Sequence, residues 1–411
     1  MNETPETEAP DAGAIEYPAL FLKRGEDARL RAGHAWVFSN EIDTAKSPLA
    51  EFEPGETVVV VDHAGKPLGL ACVNPNVLIA ARLVARGLKH PFDRSLMVHR
   101  LKVALGLRER IYPEPHYRLV HGEADGLPGL VLDRYGDVLV GQIGTLAMEQ
   151  RRADLEHAIV KVLKPQALVW KNRGGFRALE DLPEYVEVAH GELPAAVHAR
   201  EGGLSFGFDP LEGQKTGYFW DQRANRDLLA PYVRGARVLD VFSYVGAWGL
   251  RAAAAGASEV LCVDASRDAV GWIERNAADN GLAERVSTRC GDAFDVLKEL
   301  RQQRERFDVV IVDPPAFAKR RKDLAEAKLA YRRINEAAMQ LLGRDGILMS
   351  CSCSWHMPRA ALTDVINQGA RHLDRQVQIL AQLQQAPDHP VVPAIPETDY
   401  LKGVIARVLI P

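Results

Sequence analysis

A chain of 411 residues exceeds what one ordinary hydrophobic core organises, so two or three domains are expected. Its 47% hydrophobic content can fill several cores, and a formal net charge of -4 excludes a coat for nucleic acid built on overall cationic charge, leaving a local basic groove open. Five scattered cysteines exclude a disulfide framework and suit a reducing cytoplasm, and no apolar run reaches the roughly 18 residues of a membrane span.

The first sixteen residues carry five acidic side chains and no basic one, so 1–17 reads as a solvated tail. From 18 to 90, short apolar runs alternate with turn signals, and "DHAGK" between "VVVV" and "PLGLACV" predicts a hairpin; a small, mostly β barrel or sandwich is expected. From 91 to 205 a helical stretch, "DRSLMVHRLKVALGLRERIY", precedes strands and a further helix, giving an α+β unit of ordinary domain size. The hairpin-like "LSFGFDPLEGQKTGYFWDQRANRDLL" opens the last unit, 206–411. There, continuous apolar strands ("ARVLDVFS", "SEVLCVDAS", "RVSTRCGDA", "FDVVIVDPP", "GILMSCS") alternate with helices. This predicts a parallel sheet covered on both faces, with "YLKGVIARVLI" as an added edge strand.

Successive strand ends in this unit carry an acid or a small residue. Asp240 is followed by Phe242, Ser243, Tyr244, Gly246 and Gly249 at a helix start; Asp264 is followed by Ala265 and Ser266; Asp292 by Ala293. Asp264 stands about two dozen residues after Asp240, where a dinucleotide fold places the carboxylate that accepts ribose hydroxyls. The phenylalanine, serine and tyrosine replace the glycines a pyrophosphate needs, so an adenosine ligand with a short amino-acid end, S-adenosylmethionine, fits the pattern.

The fourth strand ends "VVIVDPPAFAK". Asp313 followed by Pro314 and Pro315 predicts a rigid loop, and Phe317 offers an aromatic face to a planar base. Seven basic residues against two acidic ones from Lys319 to Arg333, opening with Lys319, Arg320 and Arg321, suggest a phosphate track as well as a solvated helix. The fifth strand brings "SCSCS" to the same edge. A metal site would need two further ligands at workable spacing, which leaves buried packing or a nucleophile for Cys351 and Cys353. A soft thiolate is what adds reversibly to carbon 6 of a pyrimidine.

Through "GQKTGYFWDQRANR", "DVFSYVGAWGL", "DPPAFAK", "SCS" and "APDHPV...YLKG", the chain from about Leu20 onward resembles the bacterial 23S ribosomal RNA large-subunit cytosine-5 methyltransferases with an N-terminal PUA domain. The resemblance implies a multidomain α/β architecture: PUA-like domain, α+β middle domain and Rossmann-like class I methyltransferase domain. It implies S-adenosylmethionine as cofactor and large-subunit ribosomal RNA as partner, with no metal and no membrane; a homodimer is left open. It places the nucleophile on Cys353, the ring-binding acid on Asp313, and Tyr218, Gln222 and Arg223 beside the methionine end of the cofactor, Arg223 pairing with its carboxylate. One cysteine then serves both attack and release, and no residue is identified that removes the carbon 5 proton. Two other readings stand beside this one: amino-group methylation of adenine or guanine through the D-P-P-A-F loop, and a noncatalytic RNA-binding or assembly role.

Overall fold

The computed structural model describes residues 17–318 and 320–411; the acidic stretch 1–16 and Lys319 lie outside them. In the N-terminal unit β1 (Ala19–Phe21), β2 (Trp36–Val37), β3 (Thr57–Val61), β4 (Pro67–Val73) and β5 (Ala81–Ala85) form one sheet in the order β1-β3-β4-β5-β2. β1 lies parallel to β3 and the other pairs are antiparallel. Alternation puts Val58, Val60, Ala71 and Leu83 on the face packed against Leu20, Leu22 and Leu30. The expected hairpin turn is present, with Asp62 N–H donating to Lys66 O (2.9 Å) and Gly65 at φ 87°.

The middle unit carries β6 (His116–His121), β7 (Leu130–Tyr135), β8 (Val138–Ile143), β9 (Ala167–Asn172) and β10 (Tyr185–Gly191), in the order β10-β9-β8-β7-β6. Helices Arg94–Ile111 and Arg152–Leu163 supply Met97, Leu101, Leu155 and Ile159 to its core, with Leu119, Leu132 and Trp170 from the strands. The hairpin of β11 (Val197–Glu201) and β12 (Leu204–Phe208) comes next in the chain. The expected boundary at 205/206 cuts through β12. The hairpin belongs with the last unit, because Ser205 N–H and Gly207 N–H donate to Asn280 Oδ1 (2.9 Å) and Asn276 Oδ1 (2.7 Å), in and just after helix Arg267–Asp279.

The last unit is a seven-stranded sheet of β13 (Arg237–Val241), β14 (Glu259–Asp264), β15 (Val286–Cys290), β16 (Phe307–Val312), β17 (Leu342–Ser352), β18 (Gln376–Gln384) and β19 (Lys402–Leu409). Their order is β15-β14-β13-β16-β17-β19-β18, the first five parallel and β19 antiparallel to both neighbours. The final strand is thus not an edge. β19 is inserted between β17 and β18 and is buried over most of its length, whereas the glutamine-rich β18 takes the exposed edge. Among the described residues no helix is long and apolar enough to cross a membrane.

Candidate active site

The order reverses beside β13, and its C-terminal edge is where an open α/β sheet receives a ligand. Phe242 and Tyr244 stand there in the left-handed region, φ 69° and 51°, and Gly246 at 86°. Non-glycine residues hold such backbone only when their surroundings enforce it. Here Phe242 N–H and Ser243 N–H both donate to Val263 O (2.9 and 3.0 Å), Tyr244 N–H donates to Asp264 Oδ2 (2.9 Å), and Ser243 Oγ bridges Asp240 O and Val263 N–H.

Asp240 is fully buried behind this loop. Gly249 N–H donates to its Oδ2 (3.0 Å), Oδ1 has no hydrogen-bond partner among the described residues, and burial pushes the carboxyl up to about 7. It braces the loop from below. Asp264 reaches the edge itself, each oxygen accepting one backbone N–H, from Tyr244 and from Ser266, which leaves acceptor capacity on both. Ala265 and Ser266 are exposed beside it, and Ser266 caps helix Arg267–Asp279 through Ala269 N–H. Asp292 caps helix Ala293–Gln302 through Phe294 N–H and Asp295 N–H, Ala293 is buried, and the Phe294 ring is exposed at the edge. A tight loop at the β13 end, an acid at the β14 end and an exposed aromatic at the β15 end, in that order along the sheet edge, fit an adenosine-bearing cofactor. Phe294 is absent from the sequence expectations, although an aromatic directly after "CGDA" is a usable signal.

Asp313, just beyond β16, is the centre of a relay. Gln222 Nε2 donates to both its oxygens (3.0 Å each), Trp248 Nε1 donates to Oδ2 (3.0 Å), and Gln222 Oε1 is held by Asn225 Nδ2 (2.6 Å). Asn225 Oδ1 in turn accepts Gln384 N–H (3.2 Å) at the end of β18. Burial raises the Asp313 carboxyl to about 6, Trp248 and Gln222 pulling it down and Asp221 pushing it up. Such a carboxyl exchanges a proton near neutrality.

Cys353 directly succeeds β17. Its Sγ lies 3.9 Å from Pro314 O, beside Asp313, and burial lifts the thiol to about 11, against the Lys215 cation that lowers it. The flanking serines fasten the turn. Ser352 Oγ donates to Tyr331 Oη (2.8 Å), and Ser354 Oγ accepts Ala318 N–H (3.2 Å) from the D-P-P-A-F-A loop. Cys351 is fully buried with Met349 and Ile405, and burial raises its thiol well above the ordinary cysteine value. Asp313 and Gln222 act on Cys351 as well, so the two thiols differ in access: Cys351 is closed in the core and Cys353 is half-open.

Other expected positions are distributed differently. Tyr218 is buried, its Oη donating to Glu201 Oε2 (3.1 Å), which is also held by Arg226. The Arg223 guanidinium is turned toward the middle unit and the hairpin. Its Nη2 donates to the carbonyls of His116 and Arg200, and the guanidinium lies 4.4 and 4.2 Å from the rings of Tyr112 and Trp220. Tyr218 and Arg223, which the resemblance places beside the methionine end of the cofactor, here stitch the hairpin to the middle unit. Of the segment 218–223, among the described residues, Gln222 alone hydrogen-bonds the Asp313 carboxylate. Pro314 is buried, Pro315 is exposed, and Phe317 is half-buried with its ring 4.8 Å from Tyr331. Arg320 and Arg321 are exposed.

A cleft of about 860 Å³ adjoins this site, lined by Trp36 and Arg82 of the first unit, His121 and Phe176 of the second, and Lys215 and Tyr400 of the third. Tyr400 Oη donates to Asp221 Oδ2 (2.7 Å), next to Gln222.

A family model described as S-adenosylmethionine-dependent methyltransferase matches residues 181–405, and one described as PUA-like domain matches 20–86. The protein of Shewanella denitrificans named Ribosomal RNA large subunit methyltransferase I is 37% identical over 392 residues, 94% of this chain and 98% of its own. Its namesake in Vibrio cholerae is 37% identical over 399 residues, 95% and 100%. A solved methyltransferase complexed with SAH superposes with TM-score 0.82 at 21% identity, over 95% of this chain and 100% of that one. A Streptococcus mutans methyltransferase gives TM-score 0.80 at 20% identity over the same shares. At that identity the two structures speak to the fold.

Proposed function

Since the chain belongs to the ribosomal RNA large subunit methyltransferase I family, within the S-adenosylmethionine-dependent methyltransferases, we propose that it forms 5-methylcytosine in large-subunit ribosomal RNA through a covalent cysteine adduct. The observation that carries this reading is the approach of the Cys353 thiol to the backbone of the Asp313 loop, at the edge that also presents Asp264.

In this reading the Cys353 thiolate adds to carbon 6 of a flipped-out cytosine, and the electron pair of the 5,6 double bond moves to carbon 5. Asp313, held by Trp248 and Gln222, enters as the protonated acid and gives its proton to ring N3, so the negative charge that addition places on the ring is neutralised and ends on the carboxylate. The cofactor supplies the methyl group that carbon 5 takes up. Loss of the carbon 5 proton then returns the electron pair to the ring and expels the thiolate. Asp264 would hold the ribose and Phe294 would face the adenine ring, while the three-unit cleft leads RNA to Cys353. Large-subunit RNA as partner rests on the names of the relatives and agrees with the PUA-like unit.

The test is covalent trapping. Incubated with cofactor and RNA containing 5-fluorocytosine, the protein should form an adduct stable to denaturation, because fluorine blocks the last step. Cys353→Ala should abolish adduct and methylation, about a thousandfold or more, and Cys351→Ala should keep activity within about tenfold. Amino-group methylation at the D-P-P-A-F loop needs no thiol. Full activity in Cys353→Ala, with N-methylated purine found by nucleoside mass spectrometry, would establish that reading instead.

A further inference from the structure

Lys402 opens β19 opposite Ser352, the residue before Cys353. Its side chain is buried (the residue is 5% exposed), and Nζ donates to the carbonyl of Ser354, the residue after Cys353, at 2.7 Å. One residue therefore grips the cysteine turn on both sides, its backbone paired with Ser352 before it and its side chain bonded to Ser354 after it. A buried ammonium is costly without a counter-charge, yet among the described residues no carboxylate lies within salt-bridge distance of it, and its one hydrogen-bond acceptor is that neutral carbonyl. Packing alone would be served by an apolar residue, since Val404, Ile405 and Ala406 run on from it into the core.

We propose that Lys402 is the positioning residue of Cys353, holding the Ser354 carbonyl so that the thiol stays against the Asp313 loop and placing an unscreened positive charge beside the thiolate. Burial lowers the lysine to about 8, with the Asp399 carboxylate and the Cys353 thiolate opposing and Arg359 assisting that fall. The groups facing the thiol from the other elements are Lys215, Asp313 and Asp221, with the Tyr331 and Tyr400 hydroxyls. Lys215 is exposed on the cleft and screened by water, whereas Lys402 is not. The inference rests on Cys353 as nucleophile.

The experiment needs no RNA. In the full-length protein, carbamidomethylation of Cys353 by iodoacetamide is followed by peptide mass spectrometry from about pH 6 to about pH 10. Lys402→Met should slow the reaction about tenfold near neutral pH and move the profile up by about one unit, and Lys402→Arg should recover most of both. A Lys402→Met profile superimposed on that of the wild type, with calorimetric cofactor binding retained, overturns the proposal. If Lys402→Met does not fold, Asp399→Asn decides. Asp399 is exposed, and removing its carboxylate weakens the ammonium, so the profile should move to higher pH; an unmoved profile overturns the proposal. Failure of trapping with 5-fluorocytosine RNA would instead strike the nucleophile assignment and leave the alkylation comparison standing.

Discussion

At the scale of single residues, the Asp313 carboxylate is set by neighbours distant in sequence. Trp248 and Gln222 lie 65 and 91 positions from Asp313, and both donate to it. Replacing Trp248 with Phe removes one donor while keeping an aromatic ring in the core. Turnover should fall about tenfold with the cofactor KM within about twofold, as for a donor that acts mainly in the transition state. Steady-state kinetics with the natural substrate checks this, and the Asp313 carboxyl, relieved of a bond that lowers it, should titrate above about 6. Asp313 and the S-C-S cysteine are legible in the sequence because strand-end motifs are local. Trp248 and Lys402 are not, although they stand inside "DVFSYVGAWGL" and "YLKG", because their contacts are decided by strands and helices brought together from afar.

At the scale of elements, helix Ala247–Ala254 lies very close to β14. A Cβ on Gly249 would sit 2.4 Å from Cys262 Sγ and 3.2 Å from Asp240 Oδ2. This glycine serves helix-to-strand contact rather than approach to a ligand. Gly249→Ala should push the helix off the sheet, costing about 1–3 kcal/mol, with cofactor binding weakened because the loop Phe242–Gly246 moves with it. Urea unfolding and calorimetry measure the two effects. The strand patterning that reveals buried elements is sound for β13 to β17 but fails at the edge. The apolar "GVIARVL" of β19 is readable as a strand, but its place beside β17 is not, because order in a sheet is a long-range property.

At the scale of the whole molecule, the middle and last units are joined by a buried polar seam. Arg108 pairs with Asp125 and donates to Asp388 O, Arg118 pairs with Asp133, Arg118 N–H donates to Asp388 Oδ2, and Thr216 Oγ1 donates to Asp133. The rings of His121 and His389 lie 5.0 Å apart in this seam, and burial, with the nearby arginines, holds both well below the ordinary histidine value. A depressed base contributes stability above its unfolded value of about 6.5 and loses it as pH falls toward the folded value. The melting temperature should therefore drop between about pH 7 and about pH 5, and drop less in His121→Gln; thermal scans across that range test it. The raised Asp133 and Asp388 carboxyls act in the opposite sense, their share being present at low pH and lost as pH rises through their folded values. By itself the sequence determined the strand alternations, the acids at strand ends, the order of the three units and the family resemblance, all written within stretches of a few to a few dozen residues. Only the tertiary structure decided that Arg223 and Tyr218 serve the seam and the core and that β19 is interior. Burial and partner distance depend on which segments pack together, and no local pattern encodes that.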